Sequence, residues 1–197
     1  EYTTGDDGKI EVTSTGFQIR ASVTGMNASG EEYIYAAWAG SYSDFITNFD
    51  DTVGSIPSRS KASDTTGFSV VSYEGTGTAG TLKHGLSSAV DWYIIKSRDQ
   101  ARDWVVYHTG QTDASYFTKL NSSDLEAVNA NLFNSTDPTS SVISVGSGAV
   151  TNTSGERYIA YCWTETTGVS KFGSYTGNGT SVTVTTGFLP AFLLIKR

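Results

Sequence analysis

Three segments recur along this chain, and internal repetition restricts its possible folds more than any other feature. Asn27-Ala28-Ser29-Gly30-Glu31-Glu32-Tyr33-Ile34, followed by Trp38, returns as Asn152-Thr153-Ser154-Gly155-Glu156-Arg157-Tyr158-Ile159, followed by Trp163. Ser72-Tyr73-Glu74-Gly75-Thr76-Gly77-Thr78 returns as Ser174-Tyr175-Thr176-Gly177-Asn178-Gly179-Thr180, and Trp92-Tyr93-Ile94-Ile95-Lys96 is answered by Phe192-Leu193-Leu194-Ile195-Lys196. A spacing of about 100 residues is too long for a solenoid and suits duplication of a whole sheet-rich domain. Taken as one unit, the motifs place a complete module over 68–167, after an irregular linker at 41–67. Residues 1–40 then carry the C-terminal part of one repeat and 168–197 the N-terminal part of a further one. The two partial copies are expected to complete each other, in one chain or between neighbouring subunits, because an unpaired strand edge recruits another strand. A start at Glu1 and a stop directly after the Phe192–Ile195 run read as part of a longer polypeptide.

The fold expected is all-β, an antiparallel β-sandwich of jelly-roll or lectin-like type, built from a duplicated module. Charged residues make up only 17% of the chain, while 11 Tyr and 21 Gly supply pleated surface and turns, so strands outweigh helices. Strand patterns fall at 9–13, 16–22, 32–39, 68–73, 92–97, 104–108, 141–145, 157–164, 171–175, 182–185 and 191–196. The one helical pattern, Ser123 to Phe133, starts with capping-box spacing between Ser123 and Glu126. The glycines after Ser72-Tyr73 mark a turn or bulge; no Gly-Lys-Ser/Thr follows them, so they do not form a phosphate loop.

Several function classes lose support at once. A net charge of −7 opposes the counterion displacement that nucleic-acid binding requires. The longest apolar run, Phe188 to Ile195, is interrupted by Pro190 and is strand-sized, so no membrane insertion is expected. Cys162 is the single cysteine and cannot form an internal disulfide. No cofactor is expected. The acidic pairs Asp6-Asp7 and Asp50-Asp51 lack EF-hand spacing and read as turns, not as a metal site.

A hydrolase would pair His84 or His108 with Asp91 or Asp103 around a serine, and a glycosidase would take two acids from Glu74, Asp91, Asp99 and Asp103. No nucleophile elbow accompanies them, so no catalytic residue is assigned and the chain is read as non-enzymatic. Sugars stack on aromatic faces while acids and amides hold their hydroxyls. Asp103, Trp104, Tyr107, His108 and Tyr116 are therefore the candidate glycan-binding residues, weighed against plain sheet packing.

The stretches Gly67 to Gly77, His84-Gly85-Leu86, Asp91 to Arg98, Asp103-Trp104, Asn152 to Glu156 with Tyr158, and Phe172 to Gly179 together resemble a group of bacteriophage tail-fibre and virion structural proteins. The resemblance implies a β-rich component of the virion, an extracellular particle, with other virion proteins as partners. A homo-oligomer is implied as well, a trimer being one form, and host-surface glycan is the implied ligand. Its alternatives are a capsid decoration or cement protein and a glycan-degrading tailspike enzyme. The family's common proline before the apolar strand is present as Pro190 but replaced by Val90 in the earlier copy.

Overall fold

The computed structural model describes residues 10–13, 16–19, 28–30, 32–33 and 53–196. The chain forms two units, Glu1–Gly40 and Ser41–Arg197. In the first, β1 (Ile10–Thr13) and β2 (Gly16–Ile19) pair antiparallel. The expected strand at 32–39 lies outside the described residues apart from Glu32 and Tyr33, as does much of the expected linker.

In the second unit one antiparallel sheet holds seven strands. In chain order they are β3 (Ser58–Ser63), β4 (Phe68–Glu74), β6 (Trp92–Ser97), β7 (Val105–His108), β8 (Tyr116–Lys119), β9 (Ala127–Val128) and β11 (Arg157–Trp163). Across the sheet they run β3-β4-β11-β6-β7-β8-β9. A second layer consists of β5 (Gly80–Lys83) paired with β10 (Val142–Val145), with the one-turn helices α1 (Ala130–Phe133) and α2 (Ala149–Asn152). The fold is all-β, antiparallel and sandwich-like.

Period-2 alternation decides what the core contains. On β11, Tyr158, Ala160 and Cys162 are fully buried while Ile159, Tyr161 and Trp163 are half-buried on the other face. Val71 and Tyr73 of β4, Tyr93 and Ile95 of β6, and Val105 and Tyr107 of β7 share the buried face. They meet Leu82 of β5, Ile143 and Val145 of β10, and Leu132 and Phe133 of α1. Tyr93 stacks on Tyr107 at 4.8 Å and meets the Phe133 edge at 5.2 Å. Burial also pushes the Cys162 thiol well above its usual range.

Four expectations change. Within the expected linker, Ser58–Ser63 is a sheet strand paired along its whole length with β4. Its sequence, SRSKAS, has no large apolar residue to reveal it, and Arg59 and Lys61 suit a sheet edge that resists further pairing. The expected helix shrinks to α1, because Ala127–Val128 pairs with β8 and Glu126 binds the Thr112 hydroxyl and N–H instead of capping. Asn129 is the cap, accepting from Asn131 N–H at 3.1 Å. Strands Gly80–Lys83 and Tyr116–Lys119 add to the expected set. Finally, 171–175, 182–185 and 191–196 are not strands, since a strand needs a ladder partner. Contacts of that segment with the preceding residues include Lys171 with Glu165 at 2.8 Å, Phe172 on Trp92 and His108, and Lys196 on the Asp124 carbonyl.

Tyr93 supplies a direct energetic test of the core. Its side chain is fully buried and, among the described residues, its hydroxyl has no hydrogen-bond partner. Burying an unpaired hydroxyl costs about 1–3 kcal/mol, so Tyr93→Phe should raise unfolding free energy by about 1 kcal/mol. Urea unfolding of the chain checks this; a loss of stability would show that the hydroxyl has a partner.

Candidate functional site

Two of the repeated segments occupy one place in the complete module. Asn152, at the end of α2, is fully buried. Its amide donates to the carbonyls of Thr78 (2.8 Å) and Gly146 (2.7 Å), and its Oδ1 accepts from Thr76 N–H (2.8 Å). Gly77 N–H donates to the Asn152 carbonyl, Gly75 N–H to that of Glu156, and Gly155 N–H to that of Gly75. The Tyr73 hydroxyl donates to the Thr151 carbonyl at 2.6 Å, and its ring stacks on Tyr158 at 5.3 Å. Gly75 is obligatory here: a Cβ would sit 2.2 Å from the Thr153 carbonyl oxygen. The repeat residues thus tie the end of β4 to the start of β11.

Part of this arrangement recurs in the N-terminal copy. Ala28 N–H donates to the Tyr33 hydroxyl at 3.0 Å, as Thr153 N–H does to that of Tyr158 at 3.0 Å. Gly30 and Gly155 both take positive φ, 85° and 76°, which glycine adopts without strain. Asn27 and residues 34–38 lie outside the described residues.

Glu156 faces Arg102, which binds its carboxylate with two nitrogens, Nε to Oε1 and Nη2 to Oε2, both at 2.7 Å. The guanidinium holds the carboxyl down to about 2, from an ordinary 4.5.

The candidate glycan residues separate into different places. Trp104 is 38% exposed and borders a shallow depression of about 290 Å³ that Leu120 and Asn121 also line. Asn121 clamps the neighbourhood, accepting from Trp104 N–H at 3.0 Å and donating to Asp103 at 2.9 Å. Lys119 pairs with Asp103 at 3.0 Å, and Lys96 lies 5.9 Å from the Trp104 ring centroid. The Asn121 bond, then Lys119, keep the Asp103 carboxyl below its usual range. Asp103 and Trp104 therefore form one polar-rimmed aromatic spot with Lys96, Lys119, Leu120 and Asn121. Pattern reading missed those four because strand pairing brings them alongside, Lys96 from β6 and the other three from the end of β8, which pairs with β7.

Tyr107 belongs to the core instead: it is 3% exposed and its hydroxyl donates to Asp137 at 2.9 Å. Adjacent strand residues point to opposite faces, so Tyr107 and His108 cannot share a surface. His108 lies in a row fixed by register, Phe68 beside Trp163, Trp163 beside Trp92, and Trp92 beside His108. Ring centroids are 5.0 Å apart for Phe68 and Trp163 and 4.3 Å for Trp163 and Trp92, and Phe172 covers the end of the row. Their ring faces are occupied by one another, making the row a cross-strand packing device. Tyr116 is half-buried opposite Val128.

The residues a hydrolase would use are engaged with other partners. His84 is buried, its Nε2 3.1 Å from the Thr139 carbonyl and its Nδ1 accepting from Leu86 N–H, and burial lowers its pKa. His108 Nδ1 accepts from Gly110 N–H at 2.7 Å. Asp91 receives Glu165 N–H, and Asp99 pairs with Arg157. Among the described residues no cluster of three or more His, Cys, Asp or Glu is arranged for a metal ion, and no helix is long and apolar enough to cross a membrane. The acidic pairs at 6–7 and 50–51 lie outside the described residues.

Residues 46–197 match a family described as a domain of unknown function (DUF7483). The chain belongs to that family. The matched residues include β3 through β11 and the segment that follows them. No curated protein and no solved structure matches the chain.

Proposed function

We propose that this chain is a non-enzymatic structural module of a bacteriophage virion, a tail-fibre or surface-fibre segment that presents a glycan-contacting spot to the host surface. The observation that supports this reading is the use made of the repeated residues. Asn152, Gly75, Tyr73, Glu156 and Tyr158 are all engaged in joining strands, as a framework copied in tandem requires. A fibre needs such a framework, with its variation confined to the surface. On that surface Trp104, with Asp103, Lys119 and Asn121 around it, offers the apolar face and hydroxyl-binding groups that a sugar uses.

Antibody labelling of intact virions and binding to host polysaccharide test the proposal together. Label on a tail or surface fibre and saturable binding are expected, with Trp104→Ala weakening binding about tenfold, or ~1.4 kcal/mol, at unchanged melting temperature. Label on the capsid shell with stabilisation of purified capsids would point to a cement protein. Release of reducing ends from the polysaccharide would point to a depolymerase.

A further inference from the structure

A short row of side chains runs past the end of the β6–β7 pairing. Lys96 and Trp104 lie one step beyond Ile95 and Val105, the last residues that pair these strands. On the other side of Trp104, Leu120 N–H donates to its carbonyl at 3.1 Å. Residues side by side on neighbouring strands share a face, so Trp104 stands between a cation and an apolar side chain. The Lys96 Nζ lies 5.9 Å from the Trp104 ring centroid. It donates to the carbonyls of Arg102 at 2.7 Å and Gln100 at 3.4 Å. These bonds hold the ammonium beside the ring, and its third N–H has no partner among the described residues.

The carboxylates around this row each have a basic partner: Asp99 pairs with Arg157, Asp103 with Lys119 and Glu156 with Arg102. Among the described residues none of them pairs with Lys96. A chain of net charge −7 thus holds a positive charge beside Trp104 that no carboxylate of the site neutralises. We propose that the ligand of the Trp104 spot is an acidic glycan, a chain of sugars that bear carboxylates. A carboxylate meets the Lys96 ammonium, the sugar ring lies on Trp104 and Leu120, and Asn121 with Asp103 takes hydroxyls. The other acids of the chain are screened beyond about 8 Å at physiological salt, so the charge at the contact decides. The inference rests on the reading of Trp104 as a glycan contact and adds the chemistry of the glycan. Single-stranded nucleic acid is the poorer fit, because it needs a track of cations and successive stacking aromatics, and here one lysine serves one ring.

Calorimetric titration of the full chain is the test, with host polysaccharide, polygalacturonate and polysialate, each beside the same polymer after reduction of its carboxyls to alcohols. An acidic polymer should bind about tenfold more tightly than its reduced form, and the advantage should shrink as salt rises from about 50 to about 500 mM. Lys96→Gln should bring the two affinities together, Lys96→Arg should keep most of the preference, and Trp104→Ala should weaken binding to both forms. Melting temperatures check that each variant is folded, and the wild-type comparison decides even where one is not. Equal binding of acidic and reduced polymers, or a preference that survives Lys96→Gln, would overturn the acidic-glycan assignment and leave the glycan reading standing. No binding to any polysaccharide, the host's included, would remove the glycan reading as well. Tighter binding of single-stranded DNA than of every acidic glycan would assign the spot to nucleic acid instead.

Discussion

Asn152→Ala should lower the unfolding free energy of the second unit by about 3 kcal/mol, because three side-chain hydrogen bonds, one buried and two part-buried, vanish together. The groups left behind are Thr76 N–H and the carbonyls of Thr78 and Gly146. Asn152→Asp preserves shape but turns a carboxylate oxygen toward two carbonyls, so it should be at least as damaging as alanine. Gly75→Ala should produce a loss of similar size by another route. Its Cβ would meet the Thr153 backbone oxygen at 2.2 Å, which only separation of β4 from β11 relieves. Urea denaturation followed by circular dichroism reads all three. Tolerance of Asn152→Asp would show that the amide donor is dispensable and that the junction is held by packing alone.

Acid should weaken the same junction through Glu156. Its folded pKa, about 2, lies below the ordinary 4.5, so the unfolded chain takes up a proton first. The contribution is complete above pH 4.5 and is lost as pH falls toward 2. Arg102 is 28% exposed and Glu156 7%. Solvent on the arginine side screens the pair, so the loss should be about 2 kcal/mol rather than the full value of the shift. Glu156→Gln should flatten stability against pH over this interval. Arg102→Leu should cost about 3 kcal/mol at neutral pH, since it leaves a carboxylate buried without its partner. Unfolding free energies measured between pH 2 and 7 decide this, and an unchanged slope in Glu156→Gln would assign the acid sensitivity to other carboxylates.

The sequence itself determined the parts that depend on local period and composition. Strands β4, β6, β7, β10 and β11 follow from alternation or continuous apolar runs, and the glycines after Tyr73 form the turn their spacing implies. Repetition singled out Asn152, Glu156 and Tyr158 before any contact was known. Only the tertiary structure decided what those residues do. Placing β11 between β4 and β6 brings Thr76 to Asn152 and Arg102 to Glu156, and that strand order arises from pairings between distant residues that no local pattern encodes. The same cause divides the aromatic candidates. Trp104 and Tyr107 look equivalent in sequence, yet the neighbours on each face of β7 leave one ring in solvent and close the other into the core. It also explains why the β6 sequence is a buried strand at 92–97 but no strand when nearly repeated at 192–196: an extended segment becomes a strand only where another backbone pairs with it.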